Sequence, residues 1–368
     1  ALFINDGFRD ALRIAYQARP DIFARNIILP ELLYEEVSEV SGRHGVDGTI
    51  LKELDTDYAL KEMQRIYDLG IRSIAIVLMH AYRYPEFEQK LGELAKGVGF
   101  TQISLSHEVS PLMKIVSRGD TTTVDAYLSP ILRRYVDQVA SELQETRLLF
   151  MQSNGGLKSS DLFQGKDSIL SGPAGGIVGA ARTCELAGFD KIVGFDMGGT
   201  STDVAYYAGE YERAFETEVA GVRMRAPMMN IHTVAAGGGS VLQFDGSRLR
   251  VGPESAGANP GPACYRRGGP KDITHAVGLA VSDCNVMLGK LRPELFPSVF
   301  GPNADQPLDI ETVQERFEKV TNEINNAFPE LDNKTPSEVA DGFLKIAIDH
   351  MALAIKDITT KRGIDPTK

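Results

Sequence analysis

Residues 191–206, Lys-Ile-Val-Gly-Phe-Asp-Met-Gly-Gly-Thr-Ser-Thr-Asp-Val-Ala-Tyr, constrain the fold more than any other stretch. An apolar strand containing Ile192, Val193 and Phe195 ends in Asp196, and Gly198 and Gly199 then turn the chain. A second strand opens with four polar residues, Thr200 to Asp203, and runs on into Val204, Ala205 and Tyr206. Only glycine turns this tightly while presenting bare backbone N–H groups to an approaching anion. Thr200 and Ser201 add hydroxyl donors at the same mouth. Asp196 and Asp203 supply the hard oxygens that Mg²⁺, bound directly or through water, takes beside phosphates. A Gly-Gly pair alone reads as an ordinary polar hairpin; the surrounding aspartates and hydroxyls turn the expectation to phosphate binding. Asp196 and Asp203 are therefore the candidate catalytic and metal-binding residues. Gly198, Gly199, Thr200 and Ser201 are candidates for holding the cofactor.

Two further glycine-rich stretches join this set. Ser171-Gly172-Pro173-Ala174-Gly175-Gly176-Ile177 opens a helix running through Leu186. Pro173 suits the first turn, and the small residues suit either close packing on a neighbour or an anion at the helix start. Gly175 and Gly176 are taken as cofactor-binding candidates. The spacing is not that of a Rossmann turn, and the chain has no Walker A motif. Ala235-Ala236-Gly237-Gly238-Gly239-Ser240 links two apolar strands. Three consecutive glycines permit backbone approach to a ligand, so Gly237, Gly238, Gly239 and Ser240 are candidates, with a flexible hairpin tip as the alternative.

The rest of the chain indicates fold class. Helices are expected at Ala11 to Gln17, with a break at Arg19-Pro20-Asp21, at Thr56 to Leu69, at Pro85 to Ala95 and at Thr121 to Leu143. In the second, Leu60, Met63, Ile66 and Tyr67 should share one face. The nine-residue apolar run Ile71 to Met79 suits a strand covered on both sides, and Thr101 to Leu105 the next strand. This alternation predicts an α/β fold with a largely parallel sheet. Thr335 to Arg362, apolar on a wide face, should be a core helix linking the lobes. A length of 368 residues favours two domains. The net charge of −11 argues against nucleic-acid or membrane-surface partners, and no apolar window is long enough to span a bilayer.

Other polar residues are weaker candidates. His80 and His107 follow predicted strands, where α/β sheets bind ligands, but each reads better as a hydrogen-bonded structural histidine. Arg118 is a minor candidate for anion contact, with a surface salt bridge as the alternative. The spacings of His232, Cys264, His275 and Asp283 match no zinc pattern. Cys264 has no partnering base to make it a nucleophile. Three cysteines without CxxC pairing suit a reduced compartment, with the thiols in the core.

The stretch Asp196-Met197-Gly198-Gly199-Thr200-Ser201-Thr202-Asp203-Val204 resembles the second phosphate loop of the actin, sugar-kinase and heat-shock-chaperone superfamily of ATPases. More narrowly, it is similar to the hydantoinase A and 5-oxoprolinase family. Gly7-Phe8-Arg9-Asp10, Arg19-Pro20, residues 106–122, the Pro/Gly-stiffened loop 251–265 and residues 287–308 resemble the same family. The last of these is nearer 5-oxoprolinase than hydantoinase. The resemblance implies a bilobal actin-like (ribonuclease H-like) ATPase fold. Residues 1–145 would be the remainder of the N-terminal lobe. Residues 146–368 would be the hydantoinase A-type lobe, with the phosphate hairpin 192–206 and the C-terminal core helix.

The same resemblance implies a cytoplasmic enzyme using ATP and Mg²⁺ to open a cyclic amide, 5-oxo-L-proline to L-glutamate. ATP would phosphorylate the amide oxygen and so offer water a better electrophile. A hydantoinase B-type subunit or fused domain, and a homo-oligomer, are the implied partners. Two readings stay open beside it: a family enzyme acting on hydantoins or carboxylating a ketone, and a nucleotide-driven chaperone or reactivase. The superfamily has two phosphate hairpins, one per lobe, and one is present here; the other would lie before Ala1. Ala1 to Ile4 reads as mid-strand, with neither initiator Met nor signal peptide. The numbering is therefore expected to begin inside a longer protein, with the first lobe incomplete and Ala1 to Ile4 lacking its usual sheet neighbours. The chain alone is expected to bind ATP weakly and not to hydrolyse it.

Overall fold

Strand β1 (Leu2–Asn5) is buried along its whole length, its apolar Leu2–Ile4 covered on both faces and its Asn5 side chain bonded to Gly42 O and Met79 N–H. The computed structural model describes residues 1–17, 22–27, 29, 31–143, 146–219 and 221–366. After β1 come the single-turn helix α1 (Ala11–Ile14), β2 (Val37–Val40) and a short hairpin of β3 (Arg43–His44) and β4 (Ile50–Lys52). Next are α2 (Thr56–Asp68), β5 (Ser73–Val77), α3 (Glu86–Val98), β6 (Gln102–Leu105) and the single turn α4 (Ser106–Val109). The long helix α5 (Ile115–Glu142), a hairpin of β7 (Leu149–Met151) and β8 (Leu157–Ser159), and the turn α6 (Gly165–Ser168) follow.

These residues build a parallel sheet in the order β2-β1-β5-β6. Strand alternation sends Phe3, Ile74 and Ile76 to one face, with Met63 and Ile66 of α2 and Leu91 of α3. Leu2, Ile4, Ala75 and Val77 point to the other face, with Leu12 and Ala126 of α5. The chain is mixed α/β, and its parallel sheet, as predicted for residues 56–146, is that of the first unit.

Several details differ from the sequence reading. Helix α1 ends at Ile14 because Ala15 takes a left-handed φ of 55°. The predicted break at Arg19-Pro20-Asp21 lies outside the described residues. The buried face of α2 is Ala59, Met63 and Ile66, and Leu60 is 43% exposed, one position off the stripe. Helix α5 begins six residues earlier than expected, so Arg118-Gly119-Asp120 is helix rather than linker. Gly119 is needed there, since a Cβ would lie 2.6 Å from Leu12 Cδ2. β1 does not lack neighbours either: β2 and β5 hydrogen-bond to it on both sides, and the open edges are β2 and β6.

The division between two compact units falls inside α7 (Ser171–Leu186), after Gly175. The second unit continues through β9 (Lys191–Met197) and β10 (Thr202–Ala208). Residues 212–230 return to the first unit as β11 (Arg213–Ala214) paired with β14 (Met228–Met229), enclosing β12 (Thr217–Val219) paired with β13 (Val222–Met224). The second unit resumes with β15 (Ile231–Val234), β16 (Ser240–Phe244), β17 (Leu249–Ser255), β18 (Ala276–Ala280), α8 (Val281–Met287), α9 (Ile310–Ala327) and α10 (Pro336–Ile358).

The second unit holds two antiparallel sheets, β15-β10-β9 and β17-β16-β18. Its main core gathers Leu242 and Val251 with Phe317 of α9 and Val339, Phe343 and Ala347 of α10. The far end of α10 places Ala354 and Ile358 against Val204 of β10. The elements on which α10 packs, among them α8, α9, β10, β15 and β17, belong to this unit. Within this unit the helix thus joins the two sheets.

Candidate functional site

Strands β9 and β10 pair in register from Lys191↔Ala208 to Met197↔Thr202. In this register Asp196 stands directly opposite Asp203. Side chains at directly opposed positions lie on the same face and within reach of each other, so the two carboxylates share one side of the hairpin. Thr233 of β15, opposite Asp203 on its other flank, donates from Oγ1 to Asp203 Oδ1 at 2.6 Å and fixes that carboxylate.

The turn itself is Gly198–Ser201, closed by Gly198 N–H donating to Ser201 O at 2.9 Å. Among the described residues, the N–H groups of Gly199, Thr200 and Ser201 and the hydroxyls of Thr200 and Ser201 donate to no protein acceptor. A Cβ at Gly199 would meet nothing within 4 Å. An exposed turn with unspent donors, beside two facing carboxylates, can receive a phosphate and its cation.

The Gly237–Gly239 turn does different work. Gly238 N–H donates to Gly198 O at 3.1 Å and Gly239 N–H to Gly199 O at 2.6 Å, while Gly237 N–H donates to Ser240 Oγ at 2.9 Å. A Cβ at Gly237 would stand 2.8 Å from Gly198 O, and one at Gly239 2.9 Å from Gly199 O. The three glycines let one backbone turn lie against another, and the amides of Gly238 and Gly239 are spent in holding the hairpin turn while that of Gly237 closes its own. This is neither a flexible tip nor a set of free donors. Buried Thr202 adds a second tie, donating from Oγ1 to Ala236 O at 2.5 Å.

Helix α7 enters beside the first carboxylate. Gly176 is exposed, and a Cβ there would lie 3.9 Å from Asp196 Oδ2. Its neighbour Gly175 is half-buried with Met151 beside it. Ala174, Ile177 and Ala181 form the buried stripe of the helix, so its glycine face is the one left open.

Asp283, which the sequence reading set aside as a zinc ligand, has a structural role that the spacing did not reveal. It is fully buried, and its carboxylate accepts from the N–H groups of Ala263, Cys264 and Ala280 at 2.7–3.0 Å. Burial nevertheless pushes its pKa upward. It pins the 260–265 loop to the start of α8, and an acid in the first helical turn after a strand was the available signal. Burial and the adjacent Asp283 push the Cys264 thiol far up, so Cys264 is an inert core thiol. Among the described residues, no group of three or more His, Cys, Asp or Glu side chains could hold a metal. The donor set at the hairpin, two carboxylates, suits Mg²⁺ completed by water and phosphate oxygens rather than zinc.

In the first unit, Arg118 is neither an anion contact nor a surface ion pair. It is 1% exposed and donates to Ser106 Oγ, Leu112 O and Leu78 O. Glu88, unmarked in the sequence, is fully buried and accepts from Leu78 N–H, Ser106 Oγ and the backbone N–H of His107; its Oε2 also lies 2.7 Å from His107 Nδ1. His80 Nδ1 bonds His44 O at 2.8 Å. These groups lock the loops after β5 and β6.

Comparison with known proteins agrees with this architecture. The model for the hydantoinase/oxoprolinase family matches residues 118–368, and that for the hydantoinase/oxoprolinase N-terminal region matches residues 1–99. The chain belongs to the hydantoinase/oxoprolinase family. It is 43% identical to 5-oxoprolinase 1 of Arabidopsis thaliana over 391 residues, covering 99% of this chain and 30% of that protein. With the 5-oxoprolinase of Saccharomyces cerevisiae the identity is 40% over 399 residues, with the same coverage. The chain thus spans about 30% of the length of these curated relatives. Among solved structures, the ATP-dependent caprolactamase of Pseudomonas jessenii superposes with a TM-score of 0.74 at 26% identity, covering the whole of this chain and 52% of that one. A nucleotide-free acetone carboxylase has a TM-score of 0.77 at 23% identity, with the same coverage, which is a likeness of fold.

Proposed function

We propose that this chain is the ATP-handling part of an enzyme that hydrolyses a cyclic amide, 5-oxo-L-proline to L-glutamate. The observation that carries this reading is the hairpin turn, where Gly199, Thr200 and Ser201 keep their donors unspent between the faced carboxylates Asp196 and Asp203. Similarity to 5-oxoprolinases at about 40% identity supports the substrate, and likeness to an ATP-dependent caprolactamase supports the wider class of ring amides. No comparable observation favours a hydantoin, a ketone or a client protein as substrate.

In this reading Gly198, Gly199, Thr200 and Ser201 receive the phosphates of ATP, and Asp196 and Asp203 hold Mg²⁺ directly or through water. Gly237, Gly238, Gly239 and Ser240 brace that turn from behind, and Gly175 and Gly176 keep the approach beside Asp196 clear of side chains. The γ-phosphoryl group passes to the amide oxygen, releasing ADP. Water then adds to the activated carbon, the ring C–N bond breaks, and phosphate leaves. Bound Mg²⁺ would neutralise charge on the phosphates, and the residues named here position them.

Residues 1–145 are then the rest of an N-terminal lobe and 146–368 the actin-like, hydantoinase A-type lobe of a bilobal ATPase. This functional division differs from the packing units, because 146–175 and 212–230 pack with the first unit. A cytoplasmic homo-oligomer with a hydantoinase B-type subunit or fused domain completes the reading.

The test is ATP hydrolysis by the complete protein with and without 5-oxo-L-proline. Asp196→Ala and Asp203→Ala should each lower the stimulated rate on the order of 100-fold while leaving thermal stability unchanged. Near-normal rates in both variants would remove the assignment.

A further inference from the structure

One row of side chains crosses the sheet β15-β10-β9. Asp203 of β10 is paired with Asp196 of β9 on one flank and with Thr233 of β15 on the other, so the three side chains share a face. The next row, Phe195, Val204 and His232, points the opposite way, and Val204 is buried against Ala354 and Ile358 of α10. Thr233 is exposed, so covering an apolar core does not account for it. Its Oγ1 donates to Asp203 Oδ1 at 2.6 Å, the length of a charge-assisted hydroxyl–carboxylate bond. Asp196 has no such brace: among the described residues it accepts from no donor.

The hydroxyl is itself held in place. Threonine is β-branched and stiff at χ1. Strand β15 pairs with β10 from Ile231 to Val234 and runs directly into the 235–240 turn. There Gly238 and Gly239 donate to the hairpin backbone, and Ala236 O accepts from Thr202 Oγ1. The strand is therefore tied to the hairpin both before and after Thr233.

A carboxylate free to rotate presents either oxygen. One held through Oδ1 keeps its plane and presents Oδ2. Mg²⁺ demands near-ideal octahedral geometry at about 2.0–2.1 Å, whereas Ca²⁺ accepts roughly six to eight oxygens in flexible arrangements. A carboxylate set in advance thus favours the smaller cation.

We propose that Thr233 is a positioning residue that orients Asp203 for Mg²⁺ and makes the hairpin select Mg²⁺ over Ca²⁺. It touches neither cation nor nucleotide and acts through the Asp203 carboxylate. The proposal rests on the reading of the hairpin as a Mg-nucleotide site and adds to it the residue that sets the cation preference.

The test is calorimetric titration of the complete protein with the non-hydrolysable ATP analogue AMP-PNP, in Mg²⁺, in Ca²⁺ and in EDTA. The parent, Thr233→Val and Thr233→Ser are compared. Valine keeps the β-branch and removes the donor. Losing a hydrogen bond to a metal-holding carboxylate should weaken the Mg-nucleotide at least about tenfold. The Ca-nucleotide should weaken by under about threefold, and the metal-free nucleotide not at all. Thr233→Ser keeps the hydroxyl and should bring Mg-nucleotide binding back to within about threefold of the parent. Equal weakening in all three titrations would mean general damage to the strand and overturns the proposal. Unchanged Mg-nucleotide binding in Thr233→Val, or no rescue by serine, overturns it too. Asp196→Ala and Asp203→Ala separate this from the site itself. Mg-nucleotide binding lost in both of these but kept in Thr233→Val leaves the hairpin reading standing and removes Thr233 from it. Binding kept in all of these variants, or absent from the parent, removes both.

Discussion

Two glycines, Gly199 and Gly237, illustrate how differently the same residue type is used. Gly199 faces open space and Gly237 meets the backbone of Gly198 and Gly199. Gly199→Ala should shift the thermal midpoint little, within about 0.5 kcal/mol of the parent. Gly237→Ala must push two backbones apart and should cost roughly 1–3 kcal/mol. Equal melting of the two variants would show that the turns do not lie against each other. A valine at Gly238 would act through stability as well, since its Cβ would lie 2.8 Å from Ser282 Oγ. Asp283 is the other residue on which much depends. Asp283→Ala would leave three buried N–H groups without their acceptor, at about 1–3 kcal/mol each before relaxation. Denaturant unfolding should report a loss of at least about 3 kcal/mol, and a loss under 1 kcal/mol would mean that water reaches the 260–265 loop.

At the scale of elements, α10 decides whether the second unit coheres, because it covers both sheets there. Its start is capped on both sides: Glu338 N–H donates to Thr335 Oγ1 at 3.3 Å, and Glu338 Oε2 accepts from Thr335 N–H at 2.8 Å. With Pro336 in the first turn, that is a strongly specified helix start. Thr335→Ala should cost about 1 kcal/mol. The loss should appear as faster amide exchange in the first turn of α10, and unchanged exchange there would mean that packing alone sets that end. Helix α5 shows the opposite balance. No side chain caps its start, yet Arg118, Gly119 and Asp120 are each held by tertiary contacts, and the helix extends over them.

For the whole molecule, buried ion pairs tie stability to pH. Burial raises the Asp120 carboxyl from 3.8 to about 6, against the opposing pull of Arg223. The native state therefore binds this proton more tightly than the unfolded chain does. Its stabilising contribution is fully present below about pH 4 and is lost as pH rises through about 6. The stability of the parent minus that of Asp120→Asn should fall across this window and level off above it. A difference flat from pH 4 to 8, by thermal denaturation, would show that Asp120 is not buried as described. No helix among the described residues is long and apolar enough to cross a membrane.

What the sequence determined by itself is local and periodic. The nine-residue apolar run Ile71 to Met79 suits a strand covered on both faces, Ala1 to Ile4 reads as mid-strand, and the pattern 191–206 turns at its glycines. The α/β class, the long helices and the hairpin at 191–206 follow from spacing of two and three to four residues, which neighbours along the chain enforce. Where a side chain's partner is distant in sequence, spacing carries no information. Glu88 takes its meaning from Ser106 and His107, Asp283 from Ala263, and Asp120 from Arg223, more than a hundred residues away. Gly237 through Gly239 read as a ligand turn because their partner, the hairpin backbone, is invisible until the chain folds. Burial and the pairing it demands are properties of the folded chain, so only the tertiary structure could say which polar residues are spent on the fold and which remain for chemistry.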